Sequence, residues 1–123
     1  MRALSFAQPW AELILRGAKT IELRTWRSEV RGTIVVHASK RLRREDCEAS
    51  DVDPGTVPLG ALVGAVDIVE MVDLSGPAWE ELRTEHLHQG ANPGDLVGWR
   101  LANPRRFDSP ISYRGKLGFF YVD

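Results

Sequence analysis

The chain has 123 residues, 43% of them apolar and 27% charged, with a net charge of −1. This is the make-up of a single globular domain, residues 1–123, with a core of its own, and it excludes a disordered or fibrous chain. No apolar run approaches the roughly 20 residues of a membrane span; the lone Cys47 excludes an internal disulfide and fits a reducing cytoplasm; and three histidines without a cysteine cluster give no metal-ligand spacing.

Met1 to Phe6 reads as a first strand, since no long apolar region or cleavage site follows it. A short helix is predicted from Pro9 to Arg16, because proline suits a first helical position and Gly17 supplies a left-handed stop. Trp10, Leu13 and Ile14 share one face of it, which makes Trp10 a core residue. Alternation then begins: Ile21 and Leu23 point one way, and Thr20, Glu22, Arg24 and Trp26 the other. A strand whose polar side offers an acid, a base and an indole, with Lys19 at its mouth, suits the floor of a binding site. Gly32 to His37 is a nearly continuous apolar run and reads as a strand covered on both sides. Ser39 then caps a second helix reaching about Glu48.

Asp51 to Pro58 is a loop by composition, and Leu59 to Leu74 a long strand bent at Gly64. Ser75-Gly76-Pro77 opens a third helix with Trp79, Leu82 and His86 on one side; His86 and His88 read as surface histidines. Leu96 to Phe107 returns as a strand, and Leu117 to Val122 closes the fold. Five or six strands with brief helices describe a small mixed α/β barrel, with Ile21, Leu23, Ile34, Val36, Leu101 and Phe120 in its core.

The near-neutral total hides a segregation of charge. Residues 1–44 hold ten Lys or Arg against three Asp or Glu, residues 45–95 one against twelve, and residues 96–123 five against two. If the basic ends meet, Lys19, Arg24, Lys40, Arg41, Arg43 and Arg105 form a positive face of the kind that attracts a polyanion.

Several motifs stand in order: Pro9-Trp10; the run Gly17-Ala18-Lys19-Thr20-Ile21-Glu22-Leu23-Arg24-Thr25-Trp26; His37-Ala38-Ser39; Trp99-Arg100-Leu101-Ala102-Asn103-Pro104-Arg105; and Gly115-Lys116-Leu117-Gly118. The set resembles the ASCH domain, of the PUA-like group of small β-barrels, over nearly the whole chain. The resemblance implies an RNA-linked role without naming one reaction.

A lysine, an acid and an arginine beside tryptophans suit a ligand with a flat ring and a negative charge, such as a nucleotide or an unpaired RNA base. The candidate binding residues are Lys19, Glu22, Arg24, Trp26, His37, Ser39, Lys40, Arg41, Trp99, Asn103 and Arg105, with Trp26 or Trp99 as the stacking wall. The partner expected is RNA or a nucleotide; no cofactor is expected, and the oligomeric state is not encoded. Two enzymatic alternatives share the residues. Some ASCH relatives resemble amidohydrolases that remove an acyl group from the N4 amine of cytidine, with a lysine at the place of Lys19. The position three after that lysine is a threonine in that branch and Glu22 here, where an anion would keep Lys19 protonated. The branch's helix-borne acid has only Glu85 nearby in order. A metal-independent ribonuclease could use Lys19 with Glu22, or His37, for acid–base cleavage.

Overall fold

The computed structural model describes all 123 residues. The elements are β1 (Arg2–Gln8), α1 (Trp10–Leu15), β2 (Ile21–Arg24), β3 (Gly32–Leu42), α2 (Arg44–Ala49), β4 (Ala61–Val72), α3 (Ala78–Glu81), α4 (Arg83–His86), β5 (Val97–Ser112) and β6 (Phe120–Tyr121), with one 3₁₀ turn at Pro54–Thr56. They form one six-stranded sheet in the order β2-β5-β4-β3-β1-β6. Only β1 and β3 run parallel; the other neighbours are antiparallel.

The sheet curls until its ends face each other. Arg24, on the edge strand β2, donates from Nη2 to the Ser5 carbonyl of β1, 2.7 Å away at the other side of the strand order. No ladder joins β2 to β6, so the barrel is closed by side chains and not by hydrogen-bonded strands. Register shifts near Gly64, at Ala65/Asp67 and at Ile68/Glu70 help the long β4–β5 pair to bend. The enclosed core gathers Leu4 and Phe6 from β1, Ile34 and Val36 from β3, Val66 and Ile68 from β4, and Trp99 and Leu101 from β5, with Ile14 and Leu15 of α1 plugging one side.

Five of the six expected core residues are buried: Ile21, Ile34, Val36, Leu101 and Phe120. Leu23 is not. It is half-buried and lines a surface cleft, because β2 is an edge strand with little beyond it to cover that side. The first helix starts one residue later than expected, and Gln8 caps it by accepting from Glu12 N through its side-chain oxygen. Gly17 has a φ of 78°, as a left-handed stop requires.

Ser39 caps no helix. It lies inside β3, which stays extended to Leu42 because β1 runs alongside and pairs with it through Gln8–Leu42, followed by Arg43 N on the Gln8 carbonyl at 2.8 Å. The third helix comes in two short pieces meeting at Leu82, whose φ of −100° and ψ of 10° leave the helical range. The last strand is only two residues long, since Gly118, with a φ of 64°, turns the chain just before it.

Candidate functional site

Where β1, β2 and β3 lie beside the loop before β6, a cleft of about 440 Å³ opens. Its walls are Ser5 and Ala7 of β1, Trp10, Glu22 to Arg24 of β2, Ser39 and Arg41 of β3, Arg43, His88, and Lys116 to Gly118. That volume falls in the roughly 300–1,000 Å³ range of small-ligand sites.

The floor is an ion pair. Glu22 Oε2 lies 3.1 Å from Arg24 Nη2, and Oε1 accepts from Leu23 N at 3.2 Å. Arg24 also lies over the Phe6 ring, 4.9 Å from its centroid, which fixes the guanidinium plane. Its Nε is buried with no partner in the protein.

Behind Glu22 sits Lys19, with a fully buried side chain. Its ammonium donates to the His86 carbonyl, lies 3.9 Å from Glu22 Oε1, and faces the Trp10 ring at 4.7 Å. Burial pushes its pKa down from 10.5 to about 8; Glu22 and Asp46 pull the other way, and Arg24 adds to the fall.

The aromatic wall is the pair Trp10 and His88, stacked with centroids 4.4 Å apart and planes at 20°. His88 reaches this place because Leu87, at the end of α4, takes a left-handed φ of 65°. Its amide donates to His86 Nδ1 at 3.0 Å, while His86 Nε2 donates to the Trp79 carbonyl at 2.9 Å. A carbonyl only accepts, so the hydrogen of His86 is on Nε2. Burial, then the charge of Lys19, holds the pKa of His88 down to about 3, so this imidazole is uncharged at neutral pH.

A second depression of about 790 Å³ adjoins the first and shares Ser5, Ser39, Lys116 and Leu117 with it. His37 lies in its wall. The ring is locked: Nε2 donates to the Tyr113 carbonyl at 2.7 Å, and Nδ1 pairs with Ser5 Oγ at 2.9 Å. Gly115 packs against this ring so closely that a Cβ there would lie 2.6 Å from His37 Cε1.

The fold thus brings Glu22, Arg24, Ser39 and Arg41 to one cleft, His37 and Lys40 to its neighbour, and leaves Lys19 buried behind the floor. Four expected residues lie elsewhere. Trp99 is a core residue whose indole N–H donates to the Trp26 carbonyl at 3.1 Å. Trp26 packs edge-on against Trp99 and Phe119, outside the cleft, because β2 ends two residues before it. Asn103 and Arg105 are held by Asp67, at 3.0 and 3.1 Å, near Thr33 at the start of β3. Six strand steps separate Thr33 from Ser39, roughly 20 Å. Asn103, Thr33 and Arg105, in that order, draw the carboxyl of Asp67 down to about 2. The positive face accordingly lacks Arg105 and the buried Lys19, and gains Arg114 and Lys116.

Trp10 is buried with Leu13, Cys47 and Val52, as expected, and backs the wall, while His88, expected at the surface, stacks on it and lines the cleft. Their helical and loop positions carry no sequence signal for it. His86 is fully buried. Glu85 accepts from Thr20 Oγ1 at 3.0 Å and Arg100 Nη1 at 2.7 Å, and does not line the cleft. No group of three His, Cys, Asp or Glu side chains gathers to hold a metal, and no helix is long and apolar enough to cross a membrane.

Comparison with known proteins yields one family and one fold. The family model of the ASCH domain matches residues 4–111. Activating signal cointegrator 1 of Mus musculus is 32% identical over 80 residues, covering 54% of this chain and 14% of that protein. Its Homo sapiens counterpart is 32% identical over 83 residues, with the same coverage. The chain therefore spans a small part of the length of these relatives. Among solved structures, ASCH from Zymomonas mobilis superposes with a TM-score of 0.69 at 14% identity, over 99% of this chain and 87% of that one. A mutant of the same protein gives 0.66 at 15%, with the same coverage. At such identities the likeness shows the fold, in keeping with the small mixed barrel expected.

Proposed function

This chain belongs to the ASCH domain family, and from that premise we propose that it is an RNA- or nucleotide-binding domain that holds an unpaired base in the cleft between β1, β2 and β3. The family's association with RNA agrees with this reading. The observation that carries it is the composition of the cleft: the Glu22–Arg24 pair at the floor, the uncharged His88 stacked on Trp10 at one wall, and Arg41, Arg43 and Lys116 at the rim.

Each part answers a different part of a nucleotide. A carboxylate beside a guanidinium offers an acceptor next to donors, which is what the polar edge of a base requires. An aromatic surface gives stacking, worth roughly 1–3 kcal/mol per base. The rim cations would meet phosphate, with an affinity that falls as salt rises. The test measures binding of the four ribonucleoside 5′-monophosphates and of a single-stranded RNA hexamer, with the RNA recovered and sized afterwards. Reversible binding of intact RNA, weakened at least tenfold by Arg24→Ala, is expected. Absence of binding to every probe, or binding indifferent to Arg24→Ala and Arg43→Ala alike, overturns the proposal.

One observation favours a hydrolase as the second reading: burial lowers the pKa of Lys19 to about 8, which eases loss of its proton. Against it stand Glu22 at 3.9 Å and the His86 carbonyl, both of which hold the ammonium form, and the absence of Lys19 from the cleft wall. Shortened RNA, or acyl release from an N4-acylcytidine, that disappears in a folded Lys19→Arg protein would replace the binding reading with this one.

A further inference from the structure

The second depression has a chemistry unlike the first. It contains three cations, Lys40, Arg114 and Lys116, and no Asp or Glu lines it. None of the three takes part in an ion pair; the ion pairs of the molecule all use other cations. Clustered cations without carboxylates repel one another, and a polyanion relieves that repulsion. The first cleft is built to read, with one acid and an aromatic wall, whereas the second offers cations, the hydroxyls of Ser5, Ser39, Ser112 and Tyr113, and a His37 ring whose two nitrogens are already engaged within the protein.

The two are one continuous surface. Ser39 borders both, Arg41 lines the first and Lys40 the second, so the passage between them is about one strand step long. We infer that the ligand is a single strand of RNA of more than one nucleotide, with one base seated in the first cleft and the neighbouring phosphates lying along Lys40, Arg114 and Lys116. The inference rests on the base-binding reading of the first cleft and adds the class of ligand. A duplex does not fit it, because a paired base cannot enter a concave pocket without leaving its stack.

The test compares a ribonucleoside 5′-monophosphate, a single-stranded RNA hexamer and an RNA duplex of the same length, across a salt series. The hexamer is expected to bind at least tenfold tighter than the monophosphate at low salt. Each phosphate neutralised on a single strand contributes about 0.7 to the slope of log K against log salt, so the two contacts that only the hexamer reaches, Lys40 and Arg114, steepen it by about 1.4. The double variant Lys40→Ala, Arg114→Ala is expected to shrink the hexamer-to-monophosphate affinity ratio at least fivefold and to remove about 1.4 of that slope. Equal affinity and slope for hexamer and monophosphate overturn the inference while leaving the single-cleft reading intact. A double variant that weakens both ligands by the same factor also overturns it, as does a duplex that binds as well as the hexamer. If no ligand binds at all, the base-binding reading fails and this inference with it.

Discussion

Replacing Lys19 with methionine separates the cost of burying a charge from everything else in the fold. An unfolded chain holds the proton of this amine up to about pH 10.5, and the folded chain only up to about 8. Between those values the unfolded state binds more protons, so stability rises with pH across that window; below pH 8 both states are charged and the folded one carries the whole penalty. A fall from 10.5 to about 8 corresponds to roughly 3 kcal/mol, at about 1.4 kcal/mol per pH unit. Methionine fills much of the same volume, cannot titrate, and leaves Glu22 its partner Arg24. It also leaves the His86 carbonyl without the ammonium donor, a loss that does not vary with pH. Urea unfolding at half-unit steps from about pH 7 to 10.5 gives the two stability curves, and their difference cancels the other titrating groups. Wild type is expected to gain on the variant by roughly 3 kcal/mol over this range, most steeply around pH 9. Parallel curves would refute the claim that burial dominates over Glu22 and Asp46, and a wild type that loses ground with rising pH would reverse its sign.

Three further outcomes follow from the geometry. Arg24→Ala removes the link from β2 to the Ser5 carbonyl and one side of the floor; fluorescence titration should show at least a tenfold loss of RNA affinity, against less than twofold for Arg31→Ala, whose guanidinium donates to the Ser28 and Val30 carbonyls and lines neither cleft. Gly115→Ala places a Cβ 2.6 Å from both His37 Cε1 and Ser5 Oγ; thermal unfolding should report a destabilisation of about 1–3 kcal/mol from overpacking, and an unchanged midpoint would refute the tight seat of this loop. His88→Ala removes the partly exposed ring of the wall and leaves the buried Trp10 behind it; loss of hexamer affinity by roughly 1–3 kcal/mol, the usual worth of base–aromatic stacking, is expected in calorimetry, and retained affinity would deny the wall its role.

The barrel was legible because its signals are local. The strand at Ile21 to Arg24, the apolar run at Ile34 to Val36 and the left-handed stop at Gly17 each arise within a few residues and fold as their local pattern directs, although burial along Ile21 to Arg24 does not alternate. The edge of β2 was not legible, and so Leu23 was assigned to a core that does not extend to it. The fate of residues 39–42 depends on a parallel neighbour more than thirty residues earlier in the chain, which no capping pattern announces. For the site, charge was readable and pairing was not. Arg105 and Arg41 look alike in the sequence, yet one is tied to Asp67 and the other has no carboxylate partner and lines the cleft. The aromatic wall was hidden for a similar reason. Leu87 adopts a left-handed conformation that leucine seldom takes, and this turn, held by the His86 ring and Arg83, carries His88 back over Trp10.

The cost of Lys19 bears on what the cleft does. An ammonium buried without full compensation weakens the fold at neutral pH, whereas an apolar residue in its place would not. Its contacts give it a structural effect that no apolar residue could reproduce: it ties the end of α4, through the His86 carbonyl, to the carboxylate of Glu22 on β2. The same two contacts set both halves of the cleft, since His86 positions His88 and Glu22 forms the floor. At pH 7 a group titrating at about 8 is still mostly protonated, so this tie holds under ordinary conditions and loosens in alkali. A nucleophile would need the amine free and facing the ligand, and here it is neither, being engaged with a carbonyl and shielded by the residue that would have to activate it. On the binding reading proposed above, Lys19 is a positioning residue: it holds the Glu22 carboxylate in place at the base of a cationic cleft, and that carboxylate, not the lysine, is what a bound base would meet.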